Sequence, residues 1–175
     1  MALDATPGGV SANTYSTEAE ADTYHADRLH ATDWTGASSA TQEASLKWAT
    51  RLLDERVDWD GAIAASAQAL RWPRSGLVDR DGRVVASDSL PTFLKSATAE
   101  FAMRLIASDL SADRDGLGLG RVQVDRLRVN YDKDDRPGVL PEVVRDMVRF
   151  YGTPMDDKAS AMPVVRGDVS VTFRS

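Results

Sequence analysis

Apolar and small residues recur at Leu94, Ala97, Thr98, Phe101, Ala102, Leu105 and Ile106, and this is the clearest periodicity in the chain. Steps of three and four trace one face of a helix, which is predicted over residues 90–110. Pro91 suits its first turn, where a missing N–H costs nothing, and Asp88 or Ser89 is placed to cap the free amides. Lys95, Glu100 and Arg104 fall on the opposite, polar side. Three other stretches show the same period. Thr17 and Glu20 have the spacing of a capping box, opening a helix over 18–29 with Ala21, Tyr24, Arg28 and Leu29 inward. Leu46, Ala49, Leu52, Leu53 and Val57 mark a helix over 40–56, with Trp48 beside the stripe. Val144, Met147, Val148 and Tyr151 mark a short helix that starts at Pro141 and stops at Gly152.

Alternation replaces this period in three places. Leu77-Val78 and Val84-Val85 flank Asp81-Gly82, the signal of a small hairpin. Val122, Val124, Leu127, Val129 and Tyr131 alternate with polar residues across one phase slip, which predicts two short strands or one bulged strand. Val169, Val171 and Phe173 alternate at the end of the chain, and a strand there needs a partner edge, at home or on a neighbouring chain. Residues 62–70 are alanine-rich and permit helix, but Trp72-Pro73-Arg74-Ser75-Gly76 forces an irregular path. The expected fold is mainly α: a bundle of about four helices with a small β-hairpin element. The expected division is an extended arm over 1–16, a helical domain over 17–152 and an extended tail over 153–175.

Composition narrows the possible functions. The chain has 175 residues, 42% of them hydrophobic, and no cysteine, so disulfides and thiolate metal sites are excluded. No apolar run approaches the ~18 residues of a membrane span, and the first residues lack the pattern of a signal peptide. A soluble protein made in the cytoplasm is the expectation. The net charge is −6, and the acidity is concentrated in residues 1–60, which hold eleven carboxylates against four cations. A protein that lives by neutralising phosphates usually carries a basic excess.

The motifs with chemical potential each have a simpler reading. His25 and His30 are five apart, ~140° around a helix, too far to share a metal, and both are expected at the surface. Asp79-Arg80-Asp81-Gly82 and Asp113-Arg114-Asp115-Gly116 begin like calcium loops but lack the closing ligands, so they are expected to be turns. Gly116, Gly118 and Gly120 precede a strand rather than follow one, unlike a dinucleotide loop. Arg166-Gly167-Asp168 is expected to be a turn. No nucleophile elbow, phosphate loop or isolated carboxylate points to catalysis, so no enzyme, catalytic residue, metal or cofactor is expected. Trp34, Trp48, Trp59 and Trp72, with Arg71 and Arg74 near the last, are able in principle to stack single-stranded bases, but the acidic surroundings favour packing.

Ala12-Asn13-Thr14-Tyr15, Glu20-Ala21-Asp22-Thr23-Tyr24, the segment Gln68 to Gly76 containing Trp72-Pro73-Arg74, the helix with Ala97 to Ala102, and Val129-Asn130-Tyr131 occur in that order. This arrangement resembles the small head–tail connector, or adaptor, proteins of long-tailed bacteriophages, members of which often carry a DnaT-like single-stranded-DNA-binding label. The resemblance covers roughly residues 10–152. It implies a virion protein at the capsid neck, a homo-oligomeric ring commonly of twelve subunits, docked on the portal and on a downstream neck protein. Genomic DNA would pass through it without specific binding, and no membrane is involved. The candidate interface residues on that reading are Trp72, Pro73, Arg74, Lys95, Glu100, Arg104, Val169, Val171 and Phe173. The alternative is a single-stranded-DNA-binding replication module that uses Trp72, Arg71 and Arg74.

Overall fold

The computed structural model describes residues 2–112, 121–124, 127–130 and 138–155. Among these the chain is mainly α with small β elements. The order is α1 (Glu18–Ala26), α2 (Thr32–Thr35), α3 (Ser39–Arg56), β1 (Val57–Trp59), β2 (Ala62–Ile63), β3 (Arg74–Ser75), α4 (Thr92–Ala107), β4 (Arg121–Val124), β5 (Leu127–Asn130), α5 (Glu142–Val148) and β6 (Gly152–Pro154).

The strongest periodic segment occupies the centre. α4 buries Leu94 and every residue from Ala97 to Met103, and α1, α2, α3 and α5 all pack on it. A helix covered on this many sides must be small or apolar almost all round. Ala97, Ala99 and Ala102 supply the small surface, and Phe101 fills the space between helices. α4 begins later than its sequence signals imply: Pro91 is the N-cap, no side chain caps the helix, and Leu94 and Lys95 donate to the Pro91 carbonyl.

The other helices follow their caps. Thr17 Oγ1 accepts from Glu20 N at 3.2 Å while Glu20 Oε2 accepts from Thr17 N at 2.9 Å, the reciprocal capping box. Ser38 caps α3 through Thr41 N, and its stripe Leu46, Ala49, Leu52, Leu53 reaches the core with Val57 just beyond. α1 stops at Ala26, earlier than expected, which leaves Leu29 82% exposed. The polar break near Trp34 is a one-turn helix, α2, because burying Trp34 under α4 organises it.

The β pairings join distant segments. β1 runs antiparallel to β6, with Val57 opposite Pro154 and Trp59 opposite Gly152. Gly152 is therefore a strand residue rather than a helix stop. β2 pairs with β3, so the alanine-rich stretch is not helical. The hairpin around Gly82 forms, with Val78 bridged to Val84, and β4 pairs with β5 from Arg121–Asn130 to Val124–Leu127.

The N-terminal arm has no helix or strand but is not free. Asp4 and Asn13 tie it into a loop: Asp4 N donates to Asn13 Oδ1 at 2.9 Å, and Ser11 Oγ donates to Asp4 Oδ2 at 2.8 Å. Thr14, Tyr15 and Ser16 are buried, and Tyr15 N donates to Thr50 Oγ1 on α3. The predicted terminal strand, the second Asp-Arg-Asp-Gly, the glycine loop and the Arg-Gly-Asp tripeptide lie outside the described residues.

Candidate nucleic-acid interface

The outer face of α3 carries Lys47, Trp48, Arg51 and Glu55, on successive turns opposite the buried stripe. Trp48 is 37% exposed, whereas Trp34, Trp59 and Trp72 are each no more than 5% exposed. The Arg51 guanidinium lies 5.0 Å from the centroid of the Trp48 ring, and its Nε donates to Glu55 at 2.8 Å. Lys47 pairs with Glu43 at 3.3 Å. The exposed i, i+4 pair of Arg51 and Glu55 is worth only about 0.3–0.5 kcal/mol, so a phosphate can replace that carboxylate at little cost.

A groove of about 560 Å³ runs beside this face. Lys47, Thr50, Arg51 and Asp54 of α3 form one wall, Ala12 and Asn13 of the arm another, and Ala69 to Arg71 the third. Asp54 holds the walls together. Its carboxylate accepts from the Tyr15 hydroxyl and from the Arg71 backbone N–H, the latter at 3.1 Å. Burial raises the Asp54 carboxyl above its ordinary value, against the lowering effect of the Tyr15 and Arg71 hydrogen bonds. Burial, and then the Asp54 charge, push the Tyr15 phenol well up, so it stays a donor. The result is an anchored rim on which the exposed Arg71 side chain stands.

A larger groove, about 780 Å³, lies between α1 and α4. Its cations already face carboxylates of this chain. Lys95 pairs with Glu20 at 2.6 Å, and Arg28 pairs with Glu100 at 2.7 Å. Of its aromatic residues only Tyr24 lines it, half-buried and donating to Glu100 at 3.4 Å. It offers a ligand less than the smaller groove does.

Several of the residues named as interface candidates lie inside the chain's own fold. Trp72 is 1% exposed, edge-on to Trp59 and Phe93. Pro73 is buried behind a cis Trp72–Pro73 peptide bond. Arg74 is buried and donates to the carbonyls of Trp59, Asp60, Gly61 and Arg71, so it is a staple for the turn after β1. Of Arg71, Trp72 and Arg74, only Arg71 is exposed. Glu100 is fully buried, held by Arg28 and by Arg104 at 3.3 Å, and Lys95 is turned toward α1. These side chains are committed within the chain, because a buried carboxylate needs partners more than it needs a surface. His25 is also buried: it packs on Trp34 and its Nε2 bonds to the Ala99 carbonyl at 3.1 Å. Val169, Val171 and Phe173 lie outside the described residues. Trp48 and Arg51 were the residues that periodicity undervalued. The available signal was that Trp48 sits one position off the buried stripe, with cations at i−1 and i+3.

A family model described as "Putative DnaT-like ssDNA binding protein" matches residues 1–167 of the chain. The chain belongs to that family. No curated protein and no solved structure matches it. The DnaT-like assignment corrects the expectation of a virion head–tail connector: the family spanning the chain is described by single-stranded-DNA binding, not by a place at the capsid neck. The ring, the portal, the neck protein and the virion location were implied by the connector resemblance alone.

Proposed function

We propose that the protein binds single-stranded DNA in the groove beside α3, with a base stacked on Trp48 and phosphates met by Lys47, Arg51 and Arg71. The observation that carries this reading is the exposure of Trp48, alone among four tryptophans, under the guanidinium of Arg51, which itself lines the groove. The DnaT-like family description supports it. Stacking on an aromatic ring is worth about 1–3 kcal/mol per base and tolerates any sequence. A duplex hides its base faces, and the acidic first third of the chain repels its denser charge, so single strands are preferred.

The net charge of −6 sets the expected strength. Three cations beside three carboxylates give binding led by stacking, with a modest electrostatic part. At roughly 0.7 per phosphate neutralised on a single strand, three contacts give a log–log salt slope of about −2. Titrating the protein with an oligothymidylate while following tryptophan emission tests this. Quenching is expected in wild type, and Trp48→Ala is expected to lose the quenching and about tenfold or more of the affinity. Trp48→Phe keeps a stacking ring and is expected to retain most of the affinity when binding is followed by anisotropy of a labelled oligonucleotide. Wild-type affinity in Trp48→Ala would overturn the assignment of the site.

A further inference from the structure

A second aromatic–guanidinium pair stands on the surface, away from α3 in sequence. Phe150, in the turn after α5, is 42% exposed, and the Arg80 guanidinium lies 5.4 Å from its ring centroid. Both partners are held. Tyr151 meets Phe150 edge-on at 5.0 Å and is itself stacked on Phe93 at 4.0 Å, with ring planes 9° apart. Phe93 in turn touches buried Trp72, so the Phe150 ring is braced by a chain of rings reaching the core.

Arg80 is placed by the hairpin turn. Asp79 Oδ1 accepts from Asp81 N at 2.9 Å and from Arg83 N at 2.8 Å, and Asp79 N donates to the Arg83 carbonyl. Asp81 pairs with Arg83 at 3.1 Å. The nearby carboxylates are thus engaged elsewhere, and Arg80 makes no ion pair or hydrogen bond among the described residues. A planar cation over an exposed, braced ring is the combination that binds a nucleobase on a flat face and a phosphate on the guanidinium edge. It is also the combination found at Trp48 and Arg51.

We infer that Phe150 and Arg80 form a second nucleobase-stacking platform for single-stranded DNA, so that one chain grips the strand at two places. This rests on the proposed function. Two linked contacts make the second an intramolecular event, so affinity climbs steeply once an oligonucleotide is long enough to reach both.

The test is an oligothymidylate length series, read by anisotropy of a labelled strand and by Trp48 quenching. Wild type is expected to show a step in affinity with length. Phe150→Ala and Arg80→Glu are expected to remove the step, weakening the longest oligonucleotide about tenfold or more while leaving short-oligonucleotide binding and Trp48 quenching unchanged. Arg80 is at an exposed hairpin tip, so Arg80→Glu tests the platform without disturbing the core, whatever Phe150→Ala does to stability. Wild-type affinity of Arg80→Glu for every length would overturn the second platform while leaving the Trp48 site standing. Absence of binding by the wild-type protein at low salt would overturn both.

Discussion

Glu100 is a carboxylate taken out of water and held by three partners. It is fully buried on α4, and Arg28, Arg104 and the Tyr24 hydroxyl surround its carboxylate. Removing one partner of a buried pair costs about 3–5 kcal/mol, because the charge left behind has lost its water. Arg28→Ala is expected at the lower end, about 3 kcal/mol, since Arg104 stays; denaturant unfolding measures it. His25 behaves differently. Burial lowers its affinity for protons, against the opposing pull of the Ala99 carbonyl and the Glu100 and Asp22 charges, with Arg28 adding to the lowering. The unfolded chain takes up a proton near pH 6.5 while the folded chain resists, so this contribution to stability is present above that pH and lost as pH falls. The unfolding free energy is expected to drop between pH 7.5 and 5.5, and His25→Gln is expected to flatten the drop. The carboxylates with lowered values, Glu20 and Asp109 among them, act only further down in pH.

At the scale of elements, α3 and α4 were legible because each repeats one apolar face over four turns or more, and α1 because its cap is written in Thr17 and Glu20. The β1–β6 pair was not legible. Each strand has three residues, too few for a period, and the partners lie some 95 positions apart, so nothing local announces them. The same limit hid the burial of Glu100 and the partners of Trp72. A polar residue on an outward-looking face reads as solvated until a second helix supplies Arg28, and Trp72, expected to pack, finds its partners only when Trp59 and Phe93 close over it. Gly152 now has a definite duty. A Cβ there would sit 2.8 Å from Val57 Cγ1 and 2.9 Å from the Asp58 carbonyl oxygen. Gly152→Ala must push β6 off β1, with an expected loss of about 1–3 kcal/mol in thermal or denaturant unfolding.

At the scale of the whole molecule, six of the described arginines fall into two groups. Arg28, Arg74 and Arg104 satisfy carboxylates and carbonyls of the fold, while Arg51 and Arg80 lie over exposed rings and Arg71 stands on an anchored rim. On the proposed reading, an acidic protein binds a single strand because a few cations, two of them over exposed rings, replace a broad basic face. The Asp54 clasp gives the account a further check. Asp54→Ala removes the acceptor that joins Tyr15 and Arg71, so it is expected to loosen the rim and weaken oligonucleotide binding, even though deleting a carboxylate makes the groove more positive. An electrostatic groove without defined walls would bind more tightly instead. The most direct measurement of the central claim is the binding of a fluorescently labelled oligothymidylate to wild type and to Trp48→Ala at low salt. Saturable binding by wild type, reduced about tenfold or more in the variant, is the predicted result; equal affinity of the two proteins, or no binding by either, would contradict it.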